Sequence, residues 1–328
     1  VAEKNPILID KFIDSAMEVD VDAISDGKKV FVAGIMQHIE EAGIHSGDSA
    51  CSLPPVSIKS FLIKEIENQT KKLALALKVK GFMNVQYAIK NDKIYVIEVN
   101  PRASRTVPFV SKAKNLPLAK IASRVMAGEK LTKFNLKSKT KSMFAVKEAV
   151  FPFNKFPNSD LLLGPEMKST GEVMGFDNNF GMAFAKSQIA ASNSLPKKGL
   201  AFISLKNSHK REGVQLAKQL VELDFTLCGT RGTANYINQH GIKCKKVNKV
   251  NQGSPHIVDV LNAKKIALVI NTGGGNSETQ LSDAVALRRA TLANKVPYCT
   301  NMSTAKVCLE GIKSLKLRDI RVTSLQDI

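Results

Sequence analysis

Alternating apolar and polar residues in the first two-thirds of the chain predict antiparallel strands joined by tight turns. Met17–Ile24 and Lys29–Ile35 flank the turn-forming pair Asp26-Gly27 and predict a β-hairpin. Met83–Lys90 and Ile94–Asn100 predict a second hairpin. The other elements predicted here are a helix from Ser57 to about Lys80, a helix opened by Pro117 and ended by Gly128, a basic connection over Lys133–Ser142, and strands over Met143–Phe153 and near Gly171–Gly175.

Beyond Ser192 the pattern changes to apolar strands that alternate with amphipathic helices. The residues SNSLPKKG, from Ser192 on, form a predicted linker. The predicted strands are Leu200–Leu205, Phe225–Leu227 and Ile266–Ile270. The predicted helices are His209–Leu223, Thr233–His240, Pro255–Ala263, Ser277–Asn294 and about Thr304–Leu315. This alternation indicates a doubly wound, mostly parallel sheet with its ligand crevice at the carboxyl ends of the strands. We therefore predict an α/β chain of two domains, residues 1–192 and 193–328.

Composition excludes several classes of protein. With 328 residues, 44% of them apolar and 23% charged, the chain is typical of a globular protein and not of a disordered one. No apolar run reaches the ~18 residues that a membrane span needs. The first residues lack the features of a signal peptide and an initiator Met, so we expect a processed chain or a piece of a longer one. Five cysteines without a CxxC pair argue against a disulfide framework or structural zinc, and favour the cytoplasm.

The net charge adds a question about partners. Forty-eight Lys and Arg against 29 Asp and Glu give +19, an excess typical of nucleic-acid-binding proteins. However, the basic residues are spread along the whole chain, Trp is absent and aromatic residues make up only 6%, so few side chains could stack on bases. We therefore expect a lysine-rich surface that binds no nucleic acid and no membrane, and that favours anionic ligands such as nucleotides and phosphates.

The second hairpin carries the clearest candidate site, and its register decides which residues share a face. A three-residue loop over Asn91–Lys93 predicts the cross-strand pairs Lys90–Ile94, Gln86–Glu98 and Asn84–Asn100. One face would then be apolar, formed by Val85, Tyr87, Ile89, Tyr95, Ile97 and Val99. The opposite face would carry Gln86, Glu98 and Asn100. A two-residue loop would mix the faces, because a slip of one residue reverses them, so we predict the longer loop.

Oxygen-bearing side chains on one strand face suit a hard cation. Gln86, Glu98 and Asn100 offer carboxylate and amide oxygens, the ligands that Mg²⁺ prefers when substrate phosphates complete its coordination. Arg102 and Arg105 follow directly and could stabilise charge on a phosphoryl group in transfer. The alternative is a solvated sheet face with a polar cluster at its end, but the paired Gln86 and the Pro-Arg extension favour a site.

Five stretches of the first 190 residues are long and specific: AMEVDVDAISDGK, HIEEAGIHSGDSACSLPP, MNVQYAIKN followed by IYVIEVNPRASRTVPFVSKA, VFPFNKFP, and LLGPEMKSTGEVMG. They closely resemble the second ATP-grasp half of carbamoyl phosphate synthetase large subunits. The resemblance implies part of an ATP-grasp domain with a mixed or antiparallel sheet. The implied activity is ATP-dependent phosphorylation of carbamate to carbamoyl phosphate, in a glutamine-hydrolysing ligase of pyrimidine and arginine biosynthesis.

The same resemblance implies roles for individual residues. Catalytic Mg²⁺ or Mn²⁺ would be bound by Gln86, Glu98 and Asn100, and phosphate or carbamate would be contacted by Arg102 and Arg105. The residues implied for ATP are Lys11, Ile13, Glu18, Gly43, Ile44, His45, Ser46, Gln86 and Glu98. Those implied for a monovalent cation such as K⁺ are Glu18, His38 and Ser49. Those implied for an ornithine-type effector are Glu40, Asp48 and Glu148, with Asn301.

The chain departs from the family in one large respect. In the family, a lobe that would lie before residue 1 supplies the glycine-rich phosphate-covering loop and the phosphate-binding Lys and Arg residues. This sequence also contains neither the first synthetase half nor a glutamine-hydrolysing Cys–His–Glu arrangement. We therefore expect the isolated chain to be inactive. The working form would be the complete subunit, an oligomer partnered by a small glutamine-amidotransferase subunit.

Two predicted strand ends in the second domain run into sequences that suit an anion. FTLCGTRGT places Thr230 and Thr233 at a helix start, where backbone N–H groups and hydroxyls can hold phosphate. INTGGGNS, from Ile270, places glycines after an apolar strand. Lys210 and Lys249 could supply positive charge. Neither sequence is a GxxxxGK[ST] loop, which excludes a P-loop NTPase.

This second region resembles the methylglyoxal-synthase-like domain that ends the same subunits, where it binds UMP or IMP as a regulator. The resemblance implies effector binding by Lys210, Thr230, Thr233, Lys249 and Asn271. Relatives carry more Thr and Ser where this chain has Gly273–Gly275, so the effector's identity stays open. A purely regulatory nucleotide-binding module is the alternative function. A lyase of the methylglyoxal synthase type is disfavoured, because KVNQGSP lacks the catalytic Asp expected beside the glycine pair.

Overall fold

The computed structural model describes residues 9, 11–137, 143–153, 161–273 and 278–327. The strands are β1 (Met17–Asp26), β2 (Val30–Glu41), β3 (Cys51–Leu53), β4 (Lys80–Lys90), β5 (Lys93–Asn100), β6 (Phe144–Val150), β7 (Gly171–Asp177), β8 (Gly199–Ser204), β9 (Phe225–Thr230), β10 (Cys244–Val247), β11 (Ile266–Asn271) and β12 (Tyr298–Cys299). The helices are α1 (Ser60–Ala76), α2 (Val107–Lys114), α3 (Leu118–Met126), α4 (Phe180–Ala190), α5 (Lys210–Glu222), α6 (Arg231–Gln239), α7 (Ile257–Asn262), α8 (Glu278–Ala293) and α9 (Met302–Leu317).

The strands form two sheets of different kinds. Seven strands in the order β5-β4-β1-β2-β3-β6-β7 pair antiparallel throughout, whereas the order β10-β9-β8-β11-β12 is a parallel sheet. The predicted α/β class is confirmed, with an antiparallel region followed by a doubly wound one. Of the predicted features, residues 138–142 of the basic connection, the NKFP part of VFPFNKFP, Gly274 and Gly275, and the helix start at Ser277 lie outside the described residues.

The second hairpin corrects the predicted loop but keeps the predicted site pairs. Lys90 pairs with Lys93 and not with Ile94, because Asn91 and Asp92 both adopt positive φ and close a two-residue turn. The register then shifts by one residue between Tyr87–Val96 and Gln86–Glu98, so Ile97 is the extra residue of a β-bulge. Beyond the bulge, Glu98 and Asn100 lie opposite Gln86 and Asn84.

The bulge also corrects the predicted apolar face of this hairpin. Val85, Tyr87 and Ile89 are buried as expected, but their β5 partners are Val99, Val96 and Ile94. Tyr95 pairs with Ala88 on the other face, and Val96 takes the place opposite Tyr87 that was predicted for Ile97. The three-residue loop was therefore wrong at the tip of the hairpin, because the extra residue lies in the strand.

One hydrophobic core joins the two sheets. It includes Val146 of β6, Phe184 of α4, Ile203 of β8 and Ile312 of α9, all 0–1% exposed. Helix α4, which was not predicted, lies at its centre and packs against β6, β7 and α9. Its sequence FGMAFAKSQIA is apolar around most of its circumference, so it shows no helical alternation of apolar and polar positions.

Candidate functional site

The candidate ATP site begins with a row of acidic side chains on β1. Glu18, Asp20 and Asp22 alternate with buried Val19 and Val21, so the three carboxylates share one face of the sheet. All three are nearly fully buried, at 4%, 2% and 1% exposed. Burial raises the pKa of Glu18 most, the neighbouring His38 opposes this, and the charges of Asp20 and Glu98 add to it. An acidic, poorly solvated face of this kind suits a cation.

Strand pairing extends this acidic row across the sheet. Asp20 pairs with Gln86, and Gln86 pairs with Glu98, so these three side chains follow one another over β1, β4 and β5. Asp22, Asn84 and Asn100 form the same succession two residues away. The Asn100 amide donates to Glu98 Oε1 at 2.7 Å. The structure therefore brings the predicted metal ligands Gln86, Glu98 and Asn100 together on one face.

The donor chemistry of this set fits a divalent metal only together with a ligand. One carboxylate and two amides supply hard oxygen atoms, and phosphate oxygens would complete a Mg²⁺ or Mn²⁺ site. Within the described ranges, no cluster of three or more His, Cys, Asp or Glu side chains is placed to hold a metal unaided.

The loop 101–106 places the two predicted arginines beside this face. Asp22 accepts hydrogen bonds from Ser104 Oγ at 2.7 Å and from Thr106 Oγ1 at 2.6 Å. Arg102 and Arg105 are exposed on the same loop. Arg105 contacts Met167 Sδ and borders a cleft of about 1750 Å³ that extends to β7 and residues 318–325.

The residues predicted for the nucleotide lie around the loop 43–49. Ser46 Oγ accepts from Gln86 Nε2 at 3.3 Å, and His45 Nδ1 accepts from Gly47 N at 3.0 Å. Lys11 is exposed and Ile13 half-buried. Their neighbour Phe12 lies against Gly43, where an added Cβ would come within 3.2 Å of the ring. The structure thus places Phe12, between the predicted Lys11 and Ile13, against Gly43, and it places Ser46 against Gln86 of the metal face.

His38 connects this face to the candidate monovalent-cation site. Its Nε2 lies 3.1 Å from Asp20 Oδ2 and its Nδ1 lies 3.9 Å from Glu18 Oε1. Burial works to lower the pKa of His38, but the hydrogen bond to Asp20 and the two carboxylate charges outweigh it and raise the pKa. Ser49 Oγ is buried without a hydrogen-bond partner, as is Asp20 Oδ1. Buried oxygens without a hydrogen-bond partner fit a cation.

Two carboxylates of the predicted effector set, half-buried Glu40 of β2 and buried Glu148 of β6, influence each other's ionisation. Glu40 accepts from Ala50 N at 2.8 Å, and Glu148 accepts from Gln188 Nε2 at 2.6 Å. Burial, reinforced by the charge of Glu40, raises the pKa of Glu148 to about 8. Lys147, 1% exposed, opposes this rise, and sequence reasoning missed it. A lysine within the apolar strand FAVKEAV was the available signal.

The other two residues of the predicted effector set, Asp48 and Asn301, accept hydrogen bonds from backbone N–H groups. The carboxylate of Asp48 accepts from Lys168 N at 2.8 Å and from Ser169 N at 2.9 Å, so it fixes the segment before β7. Asn301 accepts from Thr304 N at 2.8 Å and caps α9. Both side chains are therefore already bonded within the chain.

The second candidate site lies at the carboxyl ends of β8, β9 and β11. Thr230 Oγ1 donates to Thr233 Oγ1 at 3.2 Å, and Thr233 accepts from Leu205 N at 3.0 Å. Ser204, the last residue of β8, pairs with Asn271 and lies 3.5 Å from Thr230 Oγ1. β9 lies on one side of β8 and β11 lies on the other, so the order of the strands reverses at β8. The carboxyl ends of these strands therefore form a topological switch point, where ligands bind in sheets of this kind.

The predicted lysines lie at the margin of this crevice. Lys210 is the first residue of α5. Its Nζ lies near Gly232, 3.5 Å from the position that a Cβ on Gly232 would take. Lys249 follows β10, whose last residue Val247 pairs with Thr230. The Asn271 amide donates to Tyr298 OH at 2.9 Å. Ser204, Thr272 and Tyr298 were not predicted, because single polar residues at strand ends carry no distinctive spacing.

Two family models match the chain. One, "Carbamoyl-phosphate synthase L chain, ATP binding domain", matches residues 2–134, and the other, "MGS-like domain", matches residues 212–300. Both candidate sites fall largely within these matched ranges. Within the described ranges, none of the helices combines the length and apolar character needed to cross a bilayer.

Similar proteins share most of this chain but are longer. A carbamoyl phosphate synthase large chain, C-terminal section, from Aquifex aeolicus is 47% identical over 100% of this chain and 65% of its own length. The carbamoyl phosphate synthase large chains of Rhizobium meliloti and Methanobrevibacter smithii are 51% and 50% identical, over 98% and 100% of this chain and 28% and 31% of theirs. Among solved structures, the biotin carboxylase subunit of pyruvate carboxylase is 14% identical with a TM-score of 0.44, over 55% of this chain and 46% of that one.

Proposed function

Because this chain belongs to the carbamoyl phosphate synthase large-chain family, we propose that it supplies the metal-binding side of an ATP site at which carbamate is phosphorylated to carbamoyl phosphate. The observation that carries this proposal is the pairing of Glu98 with Gln86, next to Asn100 and the buried carboxylates of β1. This arrangement collects oxygen ligands on one face, beside two arginines.

Each group would contribute a distinct part of the reaction. A divalent metal, when bound, neutralises phosphate charge, and Gln86, Glu98 and Asn100 would hold it. Arg102 and Arg105 would bind the anionic phosphoryl acceptor or the transferring group and stabilise its charge. Glu18 would hold the ribose hydroxyls. The segment 11–13 with Gly43 and Ile44 would border the adenine.

A binding measurement tests this proposal without requiring turnover. We expect Mg²⁺–ADP to raise the Tm of the full chain, since ligand at ~100 times its Kd adds about 2.7 kcal/mol to stability. Glu98→Gln should remove that rise, because it takes away the only carboxylate among the three predicted ligands. Glu222→Gln, at an exposed glutamate of α5, is the matched control. An equal rise in Glu98→Gln and the parent would contradict the proposal.

We further propose the finer assignments that follow from family membership. The chain would work as part of a longer, oligomeric large chain with a small glutamine-amidotransferase subunit, in the cytoplasm, for pyrimidine and arginine biosynthesis. A monovalent cation such as K⁺ would bind beside Glu18 and Ser49, and an ornithine-type effector beside Glu40 and Glu148. Since the family's phosphate-covering loop is not among these residues, the isolated chain would not synthesise carbamoyl phosphate. Bicarbonate- and carbamate-dependent ATP hydrolysis by the purified chain would contradict this last point.

A second function, nucleotide effector binding, is favoured by the crevice at the ends of β8, β9 and β11. Its hydroxyls, amide and flanking lysines fit the phosphate and sugar of a mononucleotide. We expect UMP or IMP to raise the Tm of the full chain and Lys249→Ala to abolish the rise. Lys264→Ala, at an exposed lysine after α7, is the control. A rise that survives Lys249→Ala would place the nucleotide elsewhere.

A further inference from the structure

Asp22 is the one carboxylate of the acidic row on β1 that makes hydrogen bonds to the loop 101–106. It lies in the middle of β1, 1% exposed, and accepts hydrogen bonds from three side chains. They are Asn84 Nδ2 at 3.0 Å, Ser104 Oγ at 2.7 Å and Thr106 Oγ1 at 2.6 Å. Two of the three donors come from the loop 101–106, more than 80 residues along the chain from Asp22.

These hydrogen bonds fix both sides of Arg105. Ser104 and Thr106, the two residues that flank it, are both bonded to Asp22. Thr106 N also donates to Ser104 Oγ at 3.1 Å, and the two hydroxyl oxygens lie 2.7 Å apart. Arg105 itself is exposed. Because residues 104 and 106 are both fixed, the backbone at residue 105 has little conformational freedom, and the direction in which the Arg105 side chain leaves the loop is restricted.

The start of α2 depends on the same carboxylate. Thr106 is the residue before α2, and its side chain makes no cap to that helix but donates its hydroxyl proton to Asp22. Val110 N donates to Thr106 O at 2.9 Å, so the first turn of α2 continues from the held residue. The anchor therefore extends from the sheet, through the loop, into the helix.

From these contacts we infer that Asp22 is a positioning residue: it fixes the loop 101–106 to the sheet and thereby sets the direction of Arg102 and Arg105 relative to Glu98 and Asn100. This inference rests on the proposed function of those arginines. A hydrogen bond to a charged acceptor contributes more to stability than one between neutral groups. Two hydroxyl donors, those of Ser104 and Thr106, can therefore be enough to fix the loop to the Asp22 carboxylate.

The test removes the hydroxyls and leaves the carboxylate with Asn84. We propose Thr106→Val and the double variant Ser104→Ala/Thr106→Val, each in the full chain. Thr106→Ser keeps the hydroxyl and is the matched control. Amide hydrogen exchange without ligand is the first readout. We expect residues 102–107 to exchange about tenfold faster in the valine variants, with β1 and β4 unchanged and Thr106→Ser close to the parent.

The second readout distinguishes positioning from stability alone. Well below each variant's Tm, the Kd for Mg²⁺–ATP, which carries the phosphoryl group that the arginines would contact, should weaken about tenfold in the valine variants and stay near the parent value in Thr106→Ser. Unchanged exchange would overturn the inference, as would faster exchange with unchanged Kd. If the parent binds no Mg²⁺–ATP, the proposed function fails for this chain, and the exchange comparison alone then decides whether Asp22 fixes the loop.

Discussion

Several ionisable side chains of this chain are buried, although ionisable side chains are usually exposed in folded proteins. Lys147, Glu148 and Asp22 are all at most 8% exposed. Burial opposes ionisation of each carboxyl, so neighbouring donors and charges decide the outcome. For Asp22, burial raises the pKa to about 6 despite the hydrogen bonds from Thr106, Asn84 and Ser104. For Glu148, burial and Glu40 together raise it to about 8.

The raised pKa of Glu148 predicts a pH dependence of stability. Because the folded chain binds this proton more tightly than the unfolded chain, its stabilising effect is full below the ordinary pKa of about 4.5 and is lost as pH rises through about 8. We expect Glu148→Gln, which keeps a partner for Gln188, to flatten the fall in Tm over this range. Glu222→Gln, measured in parallel, should keep the parent slope. A Glu148→Gln slope equal to that of the parent would refute the assignment.

At the scale of elements, the close approach of α4 and α9 depends on two glycines. A Cβ on Gly181 would lie 2.4 Å from Glu310 O and 2.5 Å from Ser314 Oγ of α9, and one on Gly311 would lie 3.2 Å from Phe184 Cδ1 of α4. Asn179, which caps α4, also accepts from Ser314 Oγ at 2.8 Å. Backbone contact and a shared cap therefore hold these two helices together.

We predict that Gly181→Ala destabilises the chain by about 1–3 kcal/mol, the usual cost of overpacking a tight contact. The clash is with a backbone carbonyl, which cannot rotate away as a side chain could. Gly164→Ala is the control, since no atom lies within 4 Å of the Cβ position there. Denaturant unfolding of the three proteins measures the difference. Equal midpoints for the two variants would show that α9 moves aside at no cost.

Most elements, and the metal-site pairs, were predictable because their signals are local. Hairpin alternation indicated β1 and β2, and the separation of apolar and polar faces in the second hairpin led to the right pairing of Glu98 with Gln86 even with the wrong loop. The missed elements are β3, α2, α4, β10 and β12. β3, β10 and β12 have only three, four and two residues, and α4 is apolar around most of its circumference. The contacts of Asp22 and Lys147 depend on partners that only the folded chain brings together.

At the scale of the whole molecule, the antiparallel and parallel sheets share one hydrophobic core. Buried residues of β2, β6 and α4 belong to the same cluster as those of β8, β9, α5 and α9. The proposed domain division at residues 192 and 193 therefore crosses a continuous apolar interior. This core is a packed route by which ligand binding at one candidate site could influence the other, and any such coupling is reciprocal.

This shared core predicts cooperative unfolding. We expect calorimetry of the full chain to show one transition, because neither sheet can expose its face of the core without exposing the other's. UMP, if it binds, should then shift the whole transition. Two transitions, with only one of them moved by UMP, would show that the sheets unfold independently despite their contact.

The bulge at Ile97 behaves as a dislocation does in a crystal: one surplus unit that can glide along a row. While it lies between the turn and Glu98, every pair beyond it keeps its partner. Gliding it into the turn would exchange Ile94 and Val96 for Tyr95 and Ile97 on the apolar face and leave Gln86–Glu98 and Asn84–Asn100 in place. Evolution or design can thus change the turn and residues 94–97 of the hairpin while the pairs Gln86–Glu98 and Asn84–Asn100 stay in register.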